Sequence, residues 1–303
     1  MAEHDGSGPL PPPSALPSGS PVSPLPSLLP LPSVFDAPPG WRPPAVDTDS
    51  AHIARVYDYL LGGKDHFRAD RQAAELLQRA NPQIRDACRQ QRDFLRRAVT
   101  HLAASGLRQF IDVGTGLPTT PSIHQLARAA APGARVVYVD NDPIVLSHAR
   151  VLLSDGAEGT VFVDGDFRAP EILLQDPALR SLINLEEPVA VLVTGLLHFL
   201  SDHETPAHHL KTLMDACPPG SHLVITAGAA DLSVDLARAT AAAYRQCAIP
   251  CRLREAREVL ELLGELEPIA PGLVAMAEWR PDAAVTRAVR ERQIAYGVVA
   301  RKG

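Results

Sequence analysis

Between residues 110 and 120 the chain reads Phe110-Ile111-Asp112-Val113-Gly114-Thr115-Gly116-Leu117-Pro118-Thr119-Thr120. An apolar run enters an acid, then Gly-x-Gly, then a helix start. That is the arrangement of a nucleotide-type cofactor loop at the first strand-to-helix turn of a doubly wound sheet. Gly114 and Gly116 let the backbone turn tightly and approach a ligand with no Cβ in the way. Two further apolar runs end in acids, Val139-Asp140-Asn141-Asp142-Pro143 and Val163-Asp164-Gly165-Asp166-Phe167. An acid at Asp140, with Asn141 beside it, accepts hydrogen bonds from ribose hydroxyls. Asp166 and Phe167 suit an adenine, one by bonding its amino group and the other by packing on the ring. Tight turns and helix caps explain each feature singly. In order, on three successive strand ends, the features converge on one crevice.

The loop discriminates between two cofactors. A dinucleotide fingerprint wants a third small residue, usually glycine, beside the pyrophosphate. This chain has Thr119 there, and Pro118 removes an N–H that an anion would use. Asp112, two residues before the first glycine, repels a pyrophosphate and suits a cationic amino group such as that of a methionine moiety. The pattern Asp112-x-Gly114-Thr115-Gly116 therefore favours S-adenosylmethionine. A nicotinamide-dependent oxidoreductase is the weaker reading.

Two more segments are candidates for chemistry. His198 follows a fourth apolar run, Val193-Thr194-Gly195-Leu196-Leu197, and is a candidate general base for an acceptor O–H or N–H because imidazole titrates near neutrality. It could equally cap or pack. In Tyr57-Asp58-Tyr59-Leu60-Leu61-Gly62-Gly63-Lys64-Asp65, paired glycines break a short helix. A glycine C-cap explains the glycines, but the aromatic and charged groups around them point to a lid over the cofactor. Tyr57, Tyr59, Gly62, Gly63 and Lys64 are then candidate cofactor contacts. Tyr57 or Tyr59 would pack near a sulfonium by cation–π attraction, and Tyr57 joins His198 as a candidate catalytic group. His203, His208 and His209 lack a tight ligand pattern, so no metal is expected. A methyl donor is already activated, so in-line transfer can rest on proximity and alignment more than on acid–base groups.

These residues need a scaffold. Helices are expected at 50–60, 67–80 and 83–104, with Pro82 at a helix start. Strands at 108–113, 135–140, 160–164, 189–194 and 221–227 alternate with helices at 121–131, 143–153, 170–183, 203–216, 231–246 and 254–263. Thr120-Pro121 and Asp142-Pro143 read as cap-plus-proline starts. Apolar runs near 272–277 and 294–300 follow. This is the βαβ pattern of a mostly parallel sheet with helices on both faces. Residues 1–44, rich in proline and serine, are expected to form a disordered or polyproline-like tail. Residues 45–105 are expected to form a helical cap, and 106–303 a Rossmann-like cofactor domain.

Over residues 47–303 the chain resembles a class I S-adenosylmethionine-dependent methyltransferase. More closely, it is similar to a bacterial family known as S-adenosyl methyltransferases, formerly a domain of unknown function. The resemblance is carried by Ala54-Arg55-Val56-Tyr57-Asp58-Tyr59-Leu60-Leu61-Gly62-Gly63-Lys64-Asp65, Asp112 to Thr119, Tyr138 to Pro143, Leu196-Leu197-His198-Phe199 and Tyr296-Gly297-Val298-Val299. It implies a seven-stranded sheet whose last strand is antiparallel. It also implies that the glycine loop and Asp112 hold the methionine half, Asp140 the ribose, and Asp166 with Phe167 the adenine. It names no acceptor.

Composition sets limits. Of 303 residues, 46% are hydrophobic, enough for a sizeable core, and the net charge of −6 gives no electrostatic case for nucleic acid as partner. Lys64, Lys211 and Lys302 are the only lysines among 29 basic residues, a codon-bias signature. Cys88, Cys217, Cys247 and Cys251 are too scattered for a disulfide framework and fit a reduced, cytoplasmic setting. Glu3, His4 and Asp5 at the start, and prolines in every early apolar run, argue against a signal peptide. No apolar run is long enough for a membrane span. The expected partner is a small-molecule acceptor. A non-catalytic S-adenosylmethionine-binding regulator or scaffold would carry the same cofactor residues.

Overall fold

Five apolar strands lie side by side and parallel: β1 (Gln109–Val113), β2 (Arg135–Asp140), β3 (Thr160–Asp164), β4 (Ala190–Val193) and β5 (His222–Gly228), in the order β3-β2-β1-β4-β5. A computed structural model describes residues 46–154 and 158–303; the proline-rich stretch 1–44 lies outside the described residues. β8 (Ala295–Arg301) runs antiparallel to β5. Two-residue strands β6 (Glu267–Pro268) and β7 (Val274–Ala275) share its other edge. The sheet thus has eight strands in the seven positions the sequence leads one to expect, the last position being divided between β6 and β7.

The helices are α1 (Ile53–Leu61), α2 (Arg68–Ala80), α3 (Ile84–Ala104), α4 (Ile123–Ala130), α5 (Pro143–Ser154), α6 (Pro170–Leu173), α7 (Pro177–Leu182), α8 (Pro206–Asp215), α9 (Val234–Gln246), α10 (Ala256–Glu261) and α11 (Arg287–Arg290). Three differences from the sequence reading have local causes. The helix expected at 121–131 starts at Ile123, because Ser122 and Gln125 form a reciprocal capping box that outcompetes Thr120-Pro121. The helix expected at 170–183 is two helices. Pro177 has no N–H to continue the first, and Asp176 Oδ1 caps the second through the N–H groups of Ala178 and Leu179. Only Val274–Ala275 of the 272–277 run is strand.

Side chains alternate across each strand. Ile111, Val137 and Val191 face Leu173, Leu179 and Leu210 of α6, α7 and α8. Phe110, Val136 and Leu192 face Phe94, Leu102 and Ile123 of α3 and α4. Each such side chain contributes roughly 1.5–3 kcal/mol by leaving water. Asp112 takes the register position next to Phe110 and Ile111 in β1, so it shares the α3–α4 face with Phe110. Gly297 of β8 leaves room for Phe94; a Cβ there would lie 2.8 Å from the ring. A third core joins α1, α2 and α9 through Leu60, Leu77, Ala243 and Tyr244. A buried hydrogen bond from Asn81 Nδ2 to Thr240 Oγ1 (2.9 Å) links the end of α2 to α9.

The break after α1 is built on one aspartate. Gly62 closes the helix at φ +89°. The N–H of Gly63 then donates to the Asp58 carbonyl at 2.9 Å, and the N–H of Asp65 to Asp58 Oδ2 at 2.9 Å. A Cβ on Gly63 would fall 1.9 Å from Asp58 Oδ1. Gly63→Ala is therefore expected to destabilise the protein by about 1–3 kcal/mol, and by clearly less in an Asp58→Ala background. Urea unfolding of both pairs measures this. Equal losses in the two backgrounds would show that the carboxylate does not set the turn.

Candidate active site

A cavity of about 390 Å³ opens at the carboxyl ends of β1, β2 and β4, beneath α1 and α3 and against α9. This is the side of an open parallel sheet on which ligands bind. Its floor is the loop after β1. The N–H groups of Gly114 and Thr115 both donate to the Val139 carbonyl, at 2.9 and 3.1 Å, which folds the loop onto the end of β2. Gly114 and Gly116 adopt φ values of +71° and +65°. A Cβ on Gly114 would also press on Leu196 at 3.1 Å.

Asp140 fixes this geometry. Its Oδ2 accepts from the Gly116 N–H at 2.8 Å and its Oδ1 from the Asp142 N–H at 2.9 Å. Burial still raises its pKa above the ordinary value. Asp112 lies deeper. Burial pushes its carboxyl up to about 6, against the opposing hydrogen bond to Thr115 and the charge of Arg92. Asp166 is in the opposite state. The Arg168 guanidinium, with contacts of 2.6–3.1 Å, holds it below the ordinary range, and Asn141 Nδ2 donates to it at 3.1 Å. Phe167 is buried beside it and meets His209 edge-on at 5.5 Å.

His198 sits in a one-turn 3₁₀ helix, Leu197–Phe199, after β4. The buried guanidinium of Arg254 holds this turn by donating to the carbonyls of Leu197 (2.6 Å) and Leu200 (3.1 Å). Burial, then Arg254, pushes the His198 pKa down to about 4. Its Nδ1 is buried with no partner.

Ten of the residues singled out in the sequence line this cavity: Tyr57, Asp112, Gly114, Thr115, Gly116, Asp140, Asn141, Asp166, Phe167 and His198. Four do not. Tyr59 turns toward α2, its hydroxyl 3.4 Å from Glu75 Oε1 and its ring under Arg85 at 5.6 Å. Gly62 and Gly63 border a neighbouring cavity of about 400 Å³, with Arg96 and the segment Leu117–Pro121. Lys64 lines neither. The sequence reading passed over Arg92 and Tyr244. Arg92 stands on α3 among Ile84, Cys88, Gln91 and Leu95, all lining the cavity. A lone cation in a stripe at spacings of three and four was the signal that would have found it.

The model of the S-adenosyl methyltransferase family matches residues 39–303. The chain belongs to that family. No curated protein matches it. A DUF574 family protein from Streptomyces avermitilis is 40% identical, with a TM-score of 0.82 over 86% of this chain and 100% of that one. A protein from Thermobifida fusca, named as a candidate methyltransferase, is 36% identical, with a TM-score of 0.81 over 87% of this chain and 99% of the other. S-adenosylmethionine is the cofactor of this methyltransferase family. The strand-end crevice suits it, because glycines give it backbone access and both an anion and a cation are present for an α-amino acid. Among the described residues no helix is long and apolar enough to cross a membrane.

Asp112 generates a test that needs no ligand. Its pKa is raised in the fold, so its contribution to stability is greatest below the ordinary value of 3.8 and is lost as pH rises through about 6. Asp112→Asn is therefore expected to stabilise the free protein by about 2–3 kcal/mol at pH 8 and by roughly half that at pH 5. Chemical unfolding at the two pH values measures it. A loss of stability at both would contradict the burial account.

Proposed function

We propose that the protein transfers the methyl group of S-adenosylmethionine to a small-molecule acceptor enclosed between the sheet, α3 and α9. The observation that carries this is the continuity of one cavity from the strand-end carboxylates to the uncharged side chains of α9 and residues 248–253. When bound, the cofactor supplies an electrophilic methyl group on a sulfonium, already activated for displacement.

The chain's own groups divide the remaining tasks. Asp112 accepts from the ammonium of the methionine half, and Arg92 donates to its carboxylate. Asp140 spends one lone pair of Oδ2 on the Gly116 N–H and one of Oδ1 on the Asp142 N–H, so its remaining lone pairs accept from the ribose diol. Asp166 and Asn141 face the adenine amino group and Phe167 its ring. Tyr57 is anchored by its hydroxyl to the Cys88 carbonyl at 3.1 Å, which fixes its ring at the cavity wall near the sulfonium. Tyr59, Gly62 and Gly63 act by holding α1 and its exit, not by touching cofactor. His198 is neutral above about pH 4 and orients the acceptor by accepting its proton. Proximity supplies most of the remaining rate. The cytoplasmic setting belongs to the same reading, and all four cysteines are free.

Calorimetry with S-adenosylmethionine and with NAD(P) tests the cofactor assignment. The first is expected to bind, and Asp112→Asn and Arg92→Gln to weaken it about tenfold or more each. Binding of NAD(P) alone would overturn the proposal. Binding of S-adenosylmethionine with no transfer of labelled methyl to any acceptor would mark a regulator or scaffold.

The pH dependence separates the two ionisable groups. Cofactor affinity is expected to fall below about pH 6, as Asp112 takes up a proton. kcat is expected to show no limb near pH 6.5, because His198 titrates near 4. A limb near 6.5 that disappears in His198→Ala would contradict the burial of that imidazole.

A further inference from the structure

We propose that the acceptor is an uncharged, flat aromatic molecule bearing a hydroxyl group, packed into the corner formed by Phe199 and Tyr244 with its oxygen at His198. The proposal rests on the methyl-transfer reading and names its substrate class.

The cavity is electrically divided. Its charged lining, Arg92, Asp112, Asp140, Asp166 and Arg168, lies where the cofactor is placed. The half formed by α9 and residues 248–253 contributes Thr240, Tyr244, Ile249, Pro250 and Leu253, none of them charged. The Arg254 guanidinium, the charge that acts on His198, is taken up by the Leu197 and Leu200 carbonyls and by Asp202, and the thiol and phenol on this side are neutral. Burial pushes the Cys88 thiol up to about 12 and the Tyr244 phenol well above its ordinary value. The Thr240 hydroxyl is already spoken for, donating to the Leu236 carbonyl at 2.7 Å and accepting from Asn81 at 2.9 Å. A charged acceptor would lose its water here and find no counter-ion among the residues lining this half, a penalty of several kcal/mol.

The shape is aromatic. Phe199 meets Tyr244 edge-to-face, centroids 5.4 Å apart at 83°. Phe199 also lies 4.1 Å from the His198 ring at a tilt of 45°. Three rings forming a corner favour a fourth by offset or edge contact. His198 is the polar point of this corner. Its Nδ1 is sealed without a partner, and no hydrogen bond within the described residues engages Nε2, which is left to meet an acceptor. A neutral imidazole nitrogen accepts one hydrogen bond, which a hydroxyl supplies without bringing a charge. In the reaction an oxygen lone pair forms the new O–C bond while the S–C bond breaks. The departing pair stays on sulfur, converting the sulfonium to a neutral thioether. The hydroxyl proton passes to His198 and on to solvent.

The test is calorimetry on the full chain saturated with S-adenosylhomocysteine. Naphthol, naphthoate and naphthylmethylammonium are titrated in turn. Naphthol is expected to bind at least about tenfold more tightly than either ion, and to yield its methyl ether when S-adenosylmethionine replaces the product. Equal or tighter binding of an ion, or no binding of naphthol, would overturn the proposal. Tyr244→Ala is expected to lose naphthol about tenfold or more while Tyr244→Phe keeps it, with S-adenosylhomocysteine affinity unchanged in both as the check on folding. Equal naphthol affinity in Tyr244→Ala and wild type would also overturn it. If wild type fails to bind S-adenosylhomocysteine, the methyl-transfer reading itself falls, an outcome distinct from a wrong acceptor class.

Discussion

A line of buried charges ties the helices above the cavity to the sheet below it. It begins at Asp140, which gathers the Gly116 and Asp142 N–H groups at 2.8 and 2.9 Å. Asp142 Oδ2 then lies 2.7 Å from His52 Nδ1, at the start of α1. Arg55 stands next, its Nε 3.8 Å from Asp142 and 3.5 Å from Asp70. Asp70 accepts from the N–H groups of His52 and Phe67 at 2.8 and 2.7 Å. The Arg55 guanidinium also gathers the carbonyls of Asp47 and Ser50. Burial alone would raise the Asp142 pKa, but His52, the Ile144 N–H and Arg55 together outweigh it and hold the carboxyl below its ordinary value. Buried charges paired in this way specify an arrangement more than they add net stability. What they specify is the seat of α1 on the crevice.

That seat gives the cavity its two characters. The strand ends bring carboxylates, of which Asp140 and Asp166 are partly satisfied by backbone N–H groups while Asp112 bears the full cost of burial. The far wall is made by α9 and residues 248–253, whose lining side chains carry no charge. One cavity therefore offers ionic groups on one side and aromatic rings on the other. Tyr57 and His198 line this same cavity.

Much of this was legible in the residues. β1 to β5 are continuous apolar runs, because a parallel sheet is covered on both faces. Gly114 and Gly116 after β1, Asp140 at the end of β2 and Asp166 after β3 line one cavity. Helix limits were less legible where two start signals competed, as at Thr120-Pro121 against Ser122 and Gln125, or at Pro170 against Asp176-Pro177. The site was half legible. Residues that act from strand-end loops announce themselves through local sequence. Arg92 and Tyr244 reach the cavity from helices far apart in the chain, and only tertiary packing brings them there. The motif from Tyr57 to Asp65 mixes both. Tyr57 reaches the cavity, while Asp58, Gly62 and Gly63 are occupied in closing the helix that carries it.

The most direct measurement of the central claim is a crystal structure with S-adenosylhomocysteine bound. The expected result places the amino-acid end between Asp112 and Arg92, the ribose on Asp140, and the sulfur opening toward Tyr57, His198 and Tyr244. A sulfur facing bulk solvent, or the amino-acid end seated in the neighbouring cavity beside Arg96, would contradict the account.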